Sequence, residues 1–541
     1  MSIATKEFFF RTEDITNDEI LNLFVETERD REIVDALKGR NPVILLGSRG
    51  VGKSFLLKIA QAEMLRDFEK SKILPIYVSF TKSSLLQSST PDQFHYWMLA
   101  RICASLIRSL MKQGLLSNVP SSISILAGEK LQLDQAQTKI EGIAEKFEES
   151  WKNPNLSVDI SKLPDVDFLK ELLEDLSEQL TISRFSLFID EAAHIFLPRQ
   201  QRQFFTLFRD LRSPYLTCNA AVYPGVTSYG ETFQPIHDAT VLSVDRDITK
   251  PNYVQNMREI VEKQADSSIL KDIEKNAQNF ALLTYASTGN PRILLKTLAK
   301  APKLTSKEVN EVIREYYRNE IWSEHSLLVE KYKGHKKIID WGRSFIENEL
   351  LPEMNRRNTA SLENKKETTC FFWIHRDAPA AVMQALRILS YTGMVIEHST
   401  GIKAKRIEVG TRYFVNLGCL FSLESNPAQT AFAIAKNLDV RRMVEYSQNH
   451  AAFNDLSTIM ATLDDEIIGK EALQEQLKKP IEVLDLSTWQ TDVLRALNLH
   501  TISDILHATE SDLQKAHYVG EVRSRRIRNA AYAAVYEYLS G

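Results

Sequence analysis

The sequence predicts a multidomain chain: an α/β domain with a parallel sheet and a helical lid, then a smaller α+β domain, then a small all-α domain. Three observations carry this. A glycine-rich loop, Gly47 to Ser54, lies between the apolar run Val43-Ile44-Leu45-Leu46 and the helix-like stretch Phe55 to Phe68. Apolar strands and helical segments then alternate to about residue 250, the pattern of a parallel sheet. Beyond it the strands vanish, and the texture changes again near Lys336 and near residue 479.

At 541 residues the chain is long enough for several cores, and its net charge of −4 excludes a globally basic nucleic-acid binder, so any such surface is local. Four cysteines, Cys103, Cys218, Cys370 and Cys419, stand far apart without CxxC pairing, which predicts buried thiols in a reducing cytosol rather than a zinc site or disulfides. No apolar run approaches membrane-spanning length and Phe8-Phe9-Phe10 lacks a signal-peptide core, so the expected location is cytoplasmic.

The loop Gly47-Ser48-Arg49-Gly50-Val51-Gly52-Lys53-Ser54 has the chemistry of a phosphate cradle. Its glycines let consecutive N–H groups turn toward an anion, and the helix N-terminus adds positive potential. Lys53 is placed to neutralise the β- and γ-phosphates and the Ser54 hydroxyl to hold Mg²⁺, with Phe55 completing the nucleotide-facing stretch. The expected cofactors are therefore ATP and Mg²⁺.

Residues 1–40 form an N-terminal segment in which Ile20, Leu23, Phe24, Ile33, Val34 and Leu37 recur at helical spacing. Within it, Arg29 and Arg31 belong either to a solvated charged face or near the adenine side. Residues 41–250 form the α/β domain. After the loop helix, Ile73 to Phe80 reads as a strand and Pro91 to Lys112 as a long helix closed by Gly114. Residues 115–165 interrupt the alternation as an insertion. There Leu133, Ile140, Ile143, Phe147 and Trp151 give an amphipathic helix, either folded back on the core or serving as a partner-binding arm.

The strand Phe185 to Ile189 ends in Asp190-Glu191, which sets two carboxylates at the carboxyl edge of the sheet beside the phosphates. Asp190 is the expected Mg²⁺ acid and Glu191 the group that polarises the attacking water. Gln200 to Arg212 reads as a helix, Tyr215 to Val222 and Thr240 to Val244 as strands. The turn after Val222 offers Thr227, then Ser228, to the γ-phosphate or the water. Residues 251–330 are helical, and inside them Thr288-Gly289-Asn290-Pro291-Arg292 opens a helix from which Arg292 can reach the nucleotide.

GSRGVGKS, the LFIDEA strand end and TGNPR, in this order and spacing, resemble the AAA+ ATPases of the origin-recognition and replication-initiator group and the signalling NTPases related to them, over roughly residues 20–330. The resemblance implies Lys53 and Ser54 in Walker A, Asp190 and Glu191 in Walker B, Thr227 as sensor 1 and Arg292 as sensor 2. It also implies an oligomer with an arginine finger before the fifth strand. Glu231 to Asp238 contains no arginine, which leaves Arg209, Arg212 or Arg246 as substitutes.

Residues 335–425 read as helices followed by two strands, Met394 to Glu397 and Arg412 to Asn416, joined by a basic loop. This resembles a winged helix, with Lys403, Lys405 and Arg406 as phosphate contacts. Residues 426–478 are a helical connector. Residues 479–541, with Ile481 to Leu486, Val493 to Leu499, Thr501 to Leu506 and His517 to Gly520, resemble the C-terminal domain of the RNA polymerase α subunit, a helix-hairpin-helix bundle. There Gly520 is the hairpin glycine, and Arg523, Arg525, Arg526 and Arg528 crowd positive charge where a DNA phosphate would sit. The leading expectation is an ATP-dependent protein that engages double-stranded DNA through its C-terminal modules. The alternative is a signalling or scaffold ATPase of a bacterial antiviral defence system, with protein partners and an effector encoded elsewhere.

Overall fold

A computed structural model of the protein describes residues 8–82, 92–116, 138–148, 158–161, 163–192, 198–225, 227–331, 335–403, 408–456, 477–484 and 486–540. The first sheet contains β1 (Val43–Leu46), β2 (Ile73–Ser79), β3 (Arg184–Asp190), β4 (Leu216–Val222) and β5 (Thr240–Ser243). All pairings are parallel, in the order β2-β3-β4-β1-β5. The loop strand β1 therefore lies between β4 and β5, and β3 and β4 bring their carboxyl ends to the same edge.

Period-two alternation sorts the side chains of β1 to the two sheet faces. Val43 and Leu45 join a core with Ile33, Val34 and Leu37 of the Glu28–Lys38 helix and Leu56 and Leu57 of the Lys53–Arg66 helix. Ile44 faces the opposite core, which the Gln93–Lys112, Lys139–Glu148, Val166–Gln179 and Pro198–Asp210 helices cover. The described helix of the insertion, Lys139–Glu148, lies back on this core through buried Ile140, Ala144 and Phe147. Its Glu141 pairs with Arg108, and its Glu148 with Lys82 and Arg101. Leu133 and Trp151 lie outside the described residues.

Five helices from Tyr253–Glu262 to Ser306–Glu315 form the lid. The next domain differs from the sequence expectation by two strands, because its sheet has the order β7-β8-β6-β9. β6 (Phe371–His375) precedes the Ala380–Thr392 helix, β7 (Val395–Lys403) and β8 (Val409–Val415) form the ribbon, and β9 (Val444–Tyr446) pairs in parallel with β6. β9 comes from the stretch expected to be a helical connector. The end of the sequence is a bundle of short helices and a long one, Glu521–Ser540. All four cysteines are buried and free, and burial raises the Cys103 and Cys218 thiols to about 12. Among the described residues no helix is long and apolar enough to cross a membrane.

Candidate nucleotide site

The loop between β1 and the Lys53–Arg66 helix curls because Gly50 and Gly52 have φ of 89° and 109°, a region L side chains rarely adopt. A side chain on Gly50 would also stand 2.9 Å from Asn290 Oδ1 and 3.1 Å from Arg292 Cβ, so the lid can rest on the loop only if residue 50 is glycine. At Gly52 nothing lies within 4 Å of where a Cβ would be, which leaves an open cradle at the helix N-terminus.

Lys53 is buried, and burial lowers its ammonium to about 8. Its Nζ donates to the carbonyl oxygens of Gly47 (2.6 Å) and Ser48 (3.0 Å) and lies 4.0 Å from the centroid of the Tyr223 ring. The Ser54 side chain lies beside Asp190 and helps to hold its carboxyl down. Asp190 ends β3, is buried, and also accepts from the Tyr77 hydroxyl at 2.5 Å. Burial raises the Asp190 carboxyl, and the Tyr77 and Ser54 side chains oppose that rise. A hydroxyl beside a carboxylate at the mouth of an open N–H cradle is a hard-oxygen donor pair suited to Mg²⁺, so the residues present fit Mg-ATP.

Glu191 follows with φ of 56°, the left-handed region. The Tyr223 hydroxyl donates to its carboxylate, 2.9 Å from each oxygen. Sequence reasoning does not single out Tyr77 or Tyr223, yet they hold the two acids. The available signal is positional: Tyr223 directly follows β4, and Tyr77 is on β2, the strand paired with β3. Burial and the nearby carboxylates keep both phenols protonated well above the usual tyrosine range.

Thr227 donates its hydroxyl to the Tyr223 carbonyl at 2.6 Å, so the hydroxyl that meets Glu191 is that of Tyr223. The Ser228 amide donates to the Gln201 side chain at 2.7 Å. Arg292 is largely desolvated beside Gly50 and donates from Nε to the Phe10 carbonyl at 2.8 Å, which ties lid, loop and N-terminal segment together. Asn290 caps its helix and donates to the Arg49 carbonyl at 2.8 Å, while Arg49 pairs with Glu324. Ser48 and Val51 are buried, and Phe55 lies against Phe24, ring centroids 6.5 Å apart. Arg246 pairs with Asp30 and donates to the Val51 carbonyl, and Arg209 pairs with Asp210 and donates to the Thr232 carbonyl; Arg212 is exposed. Arg31 pairs with Glu63, and Arg29 donates to the Ser243 carbonyl.

The expected DNA-facing residues separate into two groups. Lys403 is exposed at the end of β7, and Lys405 and Arg406 lie outside the described residues. In the bundle, Arg523 is exposed over the Trp489 ring and Arg528 is half-buried. Arg525 and Arg526 depart from expectation, because they dock on the preceding domain. Arg525 donates to the Asp377 carbonyl and to Asn449, and Arg526 pairs with the Asp377 carboxylate at 3.3 Å. Gly520 sits before the Glu521–Ser540 helix with open space at its Cα, and the left-handed residue of the hairpin is Tyr518.

A cavity of about 490 Å³ opens between the sheet edge and the ribbon domain, lined by Ser48, Tyr223, Thr227, Asp245 and Glu397 among others. Lys53 and Ser54 are not on its wall.

Comparison with known proteins places these elements. A family model described as ORC-CDC6-like matches residues 8–369, and one that describes the C-terminal domain of the bacterial RNA polymerase alpha subunit matches residues 469–528. Among solved structures, the Walker-type ATPase of Pyrococcus abyssi is similar over 79% of this protein and 97% of its own length, at 16% identity and a TM-score of 0.33. The ORC1 protein of Aeropyrum pernix, solved in complex with DNA, is similar over 77% of this protein and 97% of its own length at 14% identity and a TM-score of 0.32. The ORC2 protein of Aeropyrum pernix, in ADPNP and ADP complexes, gives 77% and 96% at 12% identity and a TM-score of 0.32. No curated protein matches. The glycine loop, the strand-end acids and the lid arginine all fall within residues 8–369, and the chain belongs to the ORC-CDC6-like family of AAA+ ATPases.

Proposed function

We propose that this protein binds Mg-ATP at the Gly47–Ser54 loop, hydrolyses it, and uses the nucleotide to control engagement of duplex DNA. The observation that carries the nucleotide reading is the Ser54 side chain beside the buried Asp190 carboxylate, next to the open space at Gly52. Bound Mg²⁺ supplies charge neutralisation at the phosphates. Ser54 and Asp190 would hold it, and Lys53 would turn from the Gly47 and Ser48 carbonyls toward the phosphates. Glu191 accepts the proton of the attacking water. Arg292 and Asn290, already on the loop, make the lid sensitive to what the loop holds.

The DNA part is supported by local basic surface: Lys403 on the exposed ribbon, followed in sequence by Lys405 and Arg406, and exposed Arg523 beside Gly520 in the bundle. Such contacts add affinity and salt dependence without reading sequence.

Two measurements test this. Glu191→Gln lowers phosphate release by about a hundredfold or more while ATP binding persists. Gel shifts at about 50 mM salt, where phosphate-driven affinity is large, show duplex binding that changes with ATP. Absence of binding with and without ATP refutes the DNA part, and undiminished turnover in Glu191→Gln refutes the assignment of the base.

A further inference from the structure

The ribbon domain stands next to the phosphate loop. Its Ala380–Thr392 helix ends at Gly393, where a Cβ would stand 3.6 Å from Ser48 Oγ. One helical turn and a half earlier, the backbone of Arg387 lies against Gly225, where a Cβ would come within 2.8 Å of the Arg387 carbonyl oxygen. Between these two in sequence, buried Tyr391 meets Tyr223 edge to face, with ring centroids 5.2 Å apart and planes at 69°.

Tyr223 in turn fixes two groups of the nucleotide site. Its hydroxyl donates to Glu191, and its ring carries Lys53, which completes its bonding on the loop's own carbonyls. A carboxylate that already accepts a phenol proton offers less lone-pair density to a water, and a lysine bonded to Gly47 and Ser48 must leave them to meet a phosphate. Moving one ring changes both. The ring's edge-to-face neighbour, Tyr391, belongs to a different domain, and such a pair favours one relative orientation of its rings.

We propose that Tyr223 is a positioning residue for hydrolysis and that the ribbon domain sets it through Tyr391. With the domain seated, Tyr223 stays on Glu191 and Lys53 stays on its own loop. With the domain displaced, both are released for catalysis. The close approach of Gly225 to Arg387 is the seat, since a side chain there would meet the helix backbone, and at Gly393 beside Ser48 a side chain would strain a φ of 75°. This inference rests on the ATPase reading above.

The test is steady-state ATP hydrolysis by the full-length protein, with binding of a non-hydrolysable ATP analogue measured alongside. Tyr391→Leu raises kcat roughly three- to tenfold, the factor that corresponds to one hydrogen bond of ordinary strength, with KM little changed. Tyr391→Phe keeps the ring and retains the wild-type rate. Tyr223→Phe, which keeps the ring and loses the hydroxyl, also raises kcat, and adding Tyr391→Leu to it gives less than the product of the two single gains, because the Glu191 part is already released. If circular dichroism shows Tyr391→Leu to be unfolded, Tyr391→Met serves in its place with the same expectation. A folded Tyr391→Leu or Tyr391→Met at or below the wild-type kcat, a fall in kcat for Tyr223→Phe, or a double variant whose gain equals the product of the single gains overturns the inference alone. A wild-type protein that binds no analogue overturns the ATPase reading, and the inference with it.

Discussion

Lys53 is held in the folded protein at an electrostatic disadvantage. Its ammonium is lowered from 10.5 to about 8 by burial, so the folded state binds fewer protons than the unfolded state between these values. Stability from this group therefore rises as pH increases from about 8 toward 10.5, and below 8 the buried charge opposes folding. Lys53→Met should raise the melting temperature of the nucleotide-free protein near pH 7 and flatten that alkaline rise, while abolishing ATP binding. Thermal scans across pH, with and without ATP, check both; a melting temperature that falls at pH 7 contradicts the reading. The loop itself was legible in the sequence because its chemistry is local: glycines, lysine and serine within eight positions suffice. The Tyr223–Glu191 and Tyr77–Asp190 pairs were not, since each joins residues from different strands and no spacing rule connects them.

At the scale of elements, the Glu28–Lys38 helix is pinned to the loop helix by one carboxylate. Glu63 is buried, which works against its charge, yet hydrogen bonds from Arg31 and Lys38 hold it at about 2. Its contribution is fully present above about 4.5 and is lost as pH falls toward 2. Glu63→Gln should lower stability by about 2 kcal/mol at pH 7, less than a fully buried pair loses because Arg31 and Lys38 keep water contact. It should also weaken the acid dependence, as urea titrations at pH 7 and pH 4 would show. Gly50→Ala forces a Cβ against Asn290 and Arg292 and strains a φ of 89°, so the lid should lose its seat on the loop and ATP affinity should fall. The five parallel strands were readable because each is an apolar run bounded by turn residues. β6 is an apolar run too, but it follows a polar helix in a region read for helices and a ribbon; β9 has only three residues and is a strand because β6 is beside it.

For the whole molecule, one apolar core runs from the lid through the ribbon domain to the terminal bundle, so these parts are packed together. Arg525 and Arg526 add a polar clasp on Asp377. In the sequence the arginine run stands beside a single acid, Glu521, whereas the acid that Arg525 and Arg526 reach, Asp377, lies in another domain. Replacing both Arg525 and Arg526 by Ala should loosen the bundle and increase the radius of gyration in X-ray scattering; an unchanged radius contradicts the clasp. Replacing Lys403, Lys405 and Arg406 together should reduce the salt slope of duplex binding by about 2–3, one contact contributing about 0.9.

Nucleotide at the Gly47–Ser54 loop underlies every role proposed for these residues, and equilibrium titration with a fluorescent ATP analogue and Mg²⁺ tests it most directly. Saturable, Mg²⁺-dependent binding by the wild type, weakened at least about a hundredfold in Lys53→Ala, is the predicted result, because the substitution removes a buried charge-assisted contact to phosphate. Equal binding by the two proteins, or none by the wild type, would contradict it.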